Sequence, residues 1–226
     1  FDHTKTKEVL YTEIPTMLRN EYHSIIANCI EEMNKEDLSK VVGDLAYHYY
    51  RCRNLEKGLK YLMSAAETAK KGYSITEGIR FCCEALGLIG EEGFIEERLK
   101  ILSSLGELCR IAGELDDCCD YYNKLLRLSE EVGNDTKRIE AYHNIGLVHK
   151  RRNEWDKAVE NLEKSLNVAK EIKDLRSVAE NYYDLGYIHE RKGDYDTAVK
   201  YFGYALENAV NAGDRIVIAG AYRAFG

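Results

Sequence analysis

The sequence predicts an all-α fold, a right-handed α-α superhelix in which antiparallel helix pairs stack as a solenoid. Three observations carry this. Gly106, Gly146, Gly186 and Gly226 follow one another at intervals of 40 residues, and their neighbours repeat in phase. Self-similarity at such a period marks stacked supersecondary units rather than one globular core. Apolar residues around each glycine keep the 3-1-3 spacing of one helix face. Finally, the 226-residue chain holds a single Pro and 45% hydrophobic residues, so little interrupts a helix.

Residues 1–36 read as a helical junction segment ahead of the repeats. The solenoid occupies 37–226, in units of about 39–66, 59–92, 99–132, 139–172 and 179–212, with a partial closing helix over 215–226. Leu45, Ala46, Tyr49, Leu55, Gly58, Leu62 and Ala65 form the first unit. Ala46 stands 60 residues before Gly106, one and a half periods. A shared helix explains the half period: residues near 56–71 serve as second helix of one unit and first helix of the next. A helix near 75–89 then supplies Gly78, Cys82, Ala85 and Leu86.

Beyond it the register is regular. One unit places Leu102, Leu105, Gly106 and Cys109 ahead of Gly113, Leu115, Cys118, Tyr122, Leu125 and Leu126. The next reads Tyr142, Ile145, Gly146 and His149, then Asn153-Glu154-Trp155, Ala158, Leu162, Ser165 and Leu166. The third reads Tyr182, Leu185, Gly186 and His189, then Gly193-Asp194-Tyr195, Ala198, Phe202, Ala205 and Leu206. Small residues such as Gly186 and Ala198 let two helices approach closely, and large ones such as Phe202 fill the space around that contact. Gly113 and Gly193 suit the turn within a pair, where a positive φ favours glycine. Gly93, Gly133, Lys173 and Gly213 mark the junctions between pairs, and Asn134, Asp174 and Asp214 follow as candidate caps. Lys173 breaks the glycine series, so its junction is expected to turn differently.

In this register the chain resembles the tetratricopeptide repeats, whose W-x-x-L-G-x-x-Y, A-x-x-x-F pattern recurs here in degenerate form and in phase three times. The period is 40 rather than 34, which lengthens each pair by roughly 9 Å of helix in total. The start of the chain resembles something further. Phe1-Asp2-His3, Lys7-Glu8-Val9-Leu10-Tyr11, Pro15, Arg19, His23, Ile26 and Ala27, with Asp44 to Tyr49 and Glu56 to Leu62, are similar to the junction that opens the helical repeat arm of multidomain signal-transducing ATPases, including cyclase-linked ones. That resemblance implies an ATPase or cyclase module ahead of residue 1 and a sensing role for the arm. Gly58 departs from the usual Ala, and the chain itself contains no G-x-x-x-x-G-K-[ST] loop. Beginning at Phe1 and stopping at Gly226, mid-repeat, the chain reads as a fragment, with end-to-end self-association expected at the uncapped end.

Composition narrows the function. Net charge is −7, from 32 basic and 39 acidic residues, which disfavours nucleic-acid binding. Lys150-Arg151-Arg152 reads as a solvated helix end. No apolar run approaches a membrane span. Seven cysteines without a C-x-x-C or a disulfide framework point to a reducing, cytoplasmic setting, with Cys109 and Cys118 as core thiols. His149 and His189 replace Tyr in the packing stripe and read as packed, hydrogen-bonded residues, whereas His143 lies off that stripe. Adjacent carboxylates such as Glu91-Glu92, Glu96-Glu97, Asp116-Asp117 and Glu130-Glu131 point about 100° apart on a helix and make no shared acid–base site. No catalytic, cofactor or metal constellation is predicted.

The resemblance implies a concave groove lined by a second stripe on each first helix. By phase it holds Lys100, Ser103, Glu107 and Arg110; then Glu140, His143, Leu147 and Lys150; then Glu180, Tyr183, Tyr187 and Glu190. Tyr183 and Tyr187 lie one turn apart and form either an aromatic platform for a partner or packing against the next repeat. The family's carboxylate clamp needs Lys and Asn where this chain has Ser103 and Glu107, His143 and Leu147, or Tyr183 and Tyr187. The expected activity is non-catalytic binding of a protein or peptide segment that regulates a neighbouring domain; the alternative is a receptor for a small-molecule effector.

Overall fold

The structure is a computed structural model and describes residues 9–91 and 93–225; Phe1-Asp2-His3, Lys7, Glu8, Glu92 and Gly226 lie outside the described residues. Those residues contain twelve α-helices, one short 3-10 turn and no strand. The chain divides into two compact units, Phe1–Ala112 and Gly113–Gly226.

In the first unit, α1 covers 9–13 and α2 runs over Thr16–Met33. A 3-10 turn at Leu38–Lys40 leads into α3 (Val42–Arg51), α4 (Leu55–Lys71), α5 (Ile75–Ile89) and α6 (Ile95–Ala112). Within this unit α2 packs against α3 and α5 against α6, and α4, where the sequence places a shared helix, lies against both α3 and α5. The apolar faces meet as the spacing requires: Leu45, Ala46 and Tyr49 of α3, Leu62 and Ala65 of α4, and Cys82 and Ala85 of α5 are all buried. Tyr49 and Tyr61 stack with ring centroids 5.5 Å apart, and both hydroxyls donate to Glu31 of α2 at 2.5 Å. Lys57 Nζ reaches the same carboxylate at 2.6 Å. One acidic side chain therefore ties α2 to α3 and α4. Burial raises the Glu31 pKa, but the hydrogen bonds from Lys57, Tyr49 and Tyr61 outweigh it and hold the carboxyl at about 2.

The second unit comprises α7 (Leu115–Val132), α8 (Asp135–Arg151), α9 (Trp155–Glu171), α10 (Leu175–Arg191), α11 (Tyr195–Ala212) and α12 (Arg215–Phe225). Helices α8, α10 and α12 begin 40 residues apart, as do α7, α9 and α11. Ile145 and Leu185 sit in equivalent buried places, and Leu105 does so in the first unit. The close approach at the period glycines is literal. A Cβ on Gly146 would lie 2.9 Å from Leu162 Cγ, and one on Gly186 would lie 2.8 Å from Phe202 Cε1.

The caps follow the sequence. Asn134 accepts from the Lys137 N–H, Asp174 from Ser177 and Asp214 from Val217. The junction at Lys173 corrects an expectation. Its φ of 59° matches 68° at Gly133 and 70° at Gly213, and Asp174 N–H donates to the Ala169 carbonyl as Asp214 N–H does to Ala209. The turn does not change; a lysine adopts the left-handed backbone that glycine takes elsewhere. Among the described residues no helix is long and apolar enough to cross a membrane.

Candidate functional site

The predicted groove stripe falls on the first helices of the pairs. In the first unit, Lys100 is exposed on α6, while Ser103, Glu107 and Arg110 are half-buried. Glu107 pairs with Lys70 Nζ of α4 at 2.6 Å.

In the second unit the stripe residues of α8 and α10 meet. Glu140 and His143 of α8 and Glu180 of α10 line one cleft of about 410 Å³, with Asn144, Arg176 and Asn181. Rim charges are paired: Lys137 Nζ lies 2.6 Å from Glu140, and Arg176 Nε lies 3.1 Å from Glu180 and 3.3 Å from Asp214 ahead of α12. Below the rim, His143 Nε2 sits 2.9 Å from Asp184 Oδ2, and Lys150 Nζ contacts the other carboxylate oxygen. Lys150 also stands 5.1 Å from the centroid of the Tyr187 ring, a cation–π distance. The basic run at 150–152 is therefore only partly a solvated helix end, because Lys150 turns into this cluster and Arg152 pairs with Asp116.

Asp184 is 8% exposed. Burial would raise its pKa, yet the hydrogen bond from His143 and the charge of Lys150 hold it below the usual carboxylate range. An ionised carboxylate thus fixes a histidine of the preceding repeat, and with it the groove wall. Asp184 was not among the sequence candidates. Its only sequence signal is register: Ser104, Asn144 and Asp184 are polar at the same phase, each next to a buried apolar residue. Asn181 was also missed. It is fully buried and donates to Ser165 Oγ and the Ser177 carbonyl, while its Oδ1 has no partner.

The two groove tyrosines diverge. Tyr183 turns toward α12, where a Cβ on Gly220 would lie 2.8 Å from its Cε2, and it packs against the buried cluster of Ala179, Ala205, Ala209 and Val217. Tyr187 is exposed, as is Glu190 one turn on, while Leu147 is half-buried. Packing against the next repeat thus accounts for Tyr183 and leaves Tyr187 facing solvent.

The two histidines of the packing stripe serve helix junctions. His149 Nδ1 lies 2.7 Å from Glu154, and His189 Nδ1 lies 3.1 Å from Asp194, each at the start of the following helix. Both rings are half-buried. Cys109 and Cys118 are buried, and burial pushes the Cys82 thiol up to about 12, far from thiolate reactivity. Among the described residues no three His, Cys, Asp or Glu side chains converge as metal ligands.

A family model described as tetratricopeptide repeat matches residues 97–171 and 137–210, which together span half of the chain. No curated protein matches the sequence. Among solved structures, aspartyl phosphate phosphatase F from Bacillus subtilis is similar over 92% of this chain and 53% of its own, at 15% identity and a TM-score of 0.73. A Rap protein complexed with Competence and Sporulation Factor matches 95% of this chain and 60% of its own, at 13% identity and a TM-score of 0.65. A signal transduction ATPase with numerous domains and a tetratricopeptide repeat sensor, from Pyrococcus horikoshii, matches 89% of this chain and 31% of its own, at 18% identity and a TM-score of 0.62. The chain spans about half the length of the phosphatase and about a third of the ATPase. At these identities the likeness is one of fold.

Proposed function

The chain belongs to the tetratricopeptide repeat family, and from that premise we propose that it is a non-catalytic arm binding a protein or peptide segment along the groove of α8 and α10. One observation carries this reading: Glu140, His143 and Glu180, which the family resemblance carried over by register assigns to the groove, come from two repeats and line a single cleft. Solenoids of this class use extended concave surfaces for binding. Here the surface is preorganised, because Asp184 and Lys150 hold His143 and the underside of Tyr187 before any partner arrives. Exposed Tyr187 offers the large, low-entropy contact area typical of an interface anchor. Leu147, Lys150 and Glu190 extend the same surface, and Lys100, Ser103, Glu107 and Arg110 form a corresponding stripe within the first unit.

The arm acts, in this reading, in cytoplasmic signal transduction, where occupancy of the groove biases an attached ATPase module. Two proteins of similar fold support it, one a Rap protein complexed with Competence and Sporulation Factor and one a signal transduction ATPase with a tetratricopeptide repeat sensor. The residues at the N-terminal junction support it as well, and seven cysteines without the spacing of a disulfide framework fit a reducing compartment.

A display selection of short peptides against the whole chain tests the groove. Peptides selected on the wild type should lose about tenfold or more in affinity on Tyr187→Ala, because truncating an anchor residue costs about 1–2 kcal/mol or more. Helical content should stay unchanged, since Tyr187 is exposed. Selected peptides indifferent to both Tyr187→Ala and His143→Ala would refute the assignment.

A further inference from the structure

The first unit carries a different site, independent of the groove. At the junction of α1, α2, α3 and α5 lies a cleft of about 450 Å³ lined by Arg19, Arg51 and Arg53, with Tyr11, Asn20 and Tyr50 beside them and, among the described residues, no carboxylate in its walls. In a chain of net charge −7, where ion pairs are frequent, three arginines around one concavity stand out. Among the described residues none of the three makes an ion pair. Arg19 donates to Thr16 Oγ1 at 3.1 Å and lies 5.1 Å from the Tyr11 ring centroid, while its buried Nε has no partner. Arg51 lies over Tyr47 at 5.3 Å.

The surroundings hold these groups in place. With its amide turned to suit its neighbours, Asn20 donates to the carbonyls of Arg51 (3.1 Å) and Thr16 (3.2 Å), which binds α2 to the end of α3. Tyr11 is fixed by its hydroxyl, 2.8 Å from His23 Nε2, and His23 is fixed in turn by His48. Positive charge accumulates here. Burial first, then His48, Arg51 and Arg19, hold His23 below the usual histidine range. Arg53 is presented by a left-handed backbone, φ 55°, at the turn position that Asn153 and Gly193 fill in the second unit.

We propose that this cleft binds a small polyphosphate-bearing ligand. Guanidinium forks match phosphate oxygens two at a time and remain charged at any physiological pH. Unpaired arginines keep that capacity for a ligand, and the volume is that of a small-molecule site rather than of a backbone-tracking stripe. The nucleoside diphosphates and triphosphates and inorganic pyrophosphate share the required chemistry. The first unit is then a receptor for an anionic effector.

Titration calorimetry of the whole chain at low ionic strength, with pyrophosphate and with ATP as probes, tests the proposal. Both should bind saturably at one site. Arg53→Gly is the informative variant, since glycine relaxes the backbone while deleting the guanidinium. Affinity should fall about tenfold or more, with a melting temperature equal to or above the wild type. Arg51→Gln should weaken both probes by a similar factor. ATP binding more tightly than pyrophosphate assigns the nucleoside to the tyrosines, and equal affinities assign the phosphates alone. The proposal fails if neither probe saturates, if both variants bind as the wild type does, or if a single-stranded oligonucleotide binds more tightly than either probe.

Discussion

Lys173 shows how a single position can depart from its series without altering the turn. Its φ of 59° places an L side chain in the left-handed region, where each such residue costs about 1–2 kcal/mol. Glycine escapes that cost but loses more freedom on folding, by about 0.5–1 kcal/mol. The first effect outweighs the second. Lys173→Gly should therefore stabilise the chain by about 0.5–1 kcal/mol, read as a raised urea midpoint with an unchanged slope. Lys173 is exposed, so no lost packing opposes the gain. A destabilised variant would mean that the Lys173 side chain contributes more than its backbone costs.

Among the elements, the tie of α2 to α3 and α4 rests on Glu31. With its folded-state pKa near 2 against an ordinary 4.5, this carboxylate stabilises the fold at pH values above about 4.5, and that contribution is lost as the pH falls toward 2. Glu31→Gln should cost about 1.5–3 kcal/mol at neutral pH, the range for hydrogen bonds to a charged group. The gap between wild type and variant should then narrow on acidification through that window, followed by urea unfolding at successive pH values. A constant gap would show that packing of the tyrosine rings, not the ionised carboxylate, makes the junction. This network also marks where sequence reading stops. The starts of α8, α10 and α12 were legible because each repeats a local pattern, and Asn134, Asp174 and Asp214 were legible as caps because a cap acts within three residues. Glu31 pairing with Tyr49, Tyr61 and Lys57, or Asp184 with His143, joins residues 18 to 41 positions apart. No period encodes such pairs. The fate of Tyr183 was undecided for the same reason, since it depends on Gly220 in another helix.

Across the whole molecule, a repeat architecture makes stability a sum over neighbouring elements rather than the property of one core. Gly186→Ala probes this directly. The new methyl would lie 2.8, 2.9 and 3.2 Å from three atoms of the Phe202 ring, which is 3% exposed and sits in the α10–α11 interface. The ring is attached close to its own backbone and cannot swing clear, so α10 and α11 must separate slightly. The expected cost is about 1–3 kcal/mol, as for overpacked cores. In a solenoid that cost remains with the elements that share the contact. Amide exchange should accelerate in α10 and α11 and, more weakly, in α9 and α12, which pack against them. Exchange in α3, α4 and α5, which lie in the other compact unit with their own buried faces, should stay at the wild-type rate. Uniform acceleration over all helices would instead make the chain one cooperative block. In that case an event at the groove of α8 and α10 and one at the arginine cleft would be coupled through global stability alone, and separate binding roles for the two units would lose their physical basis.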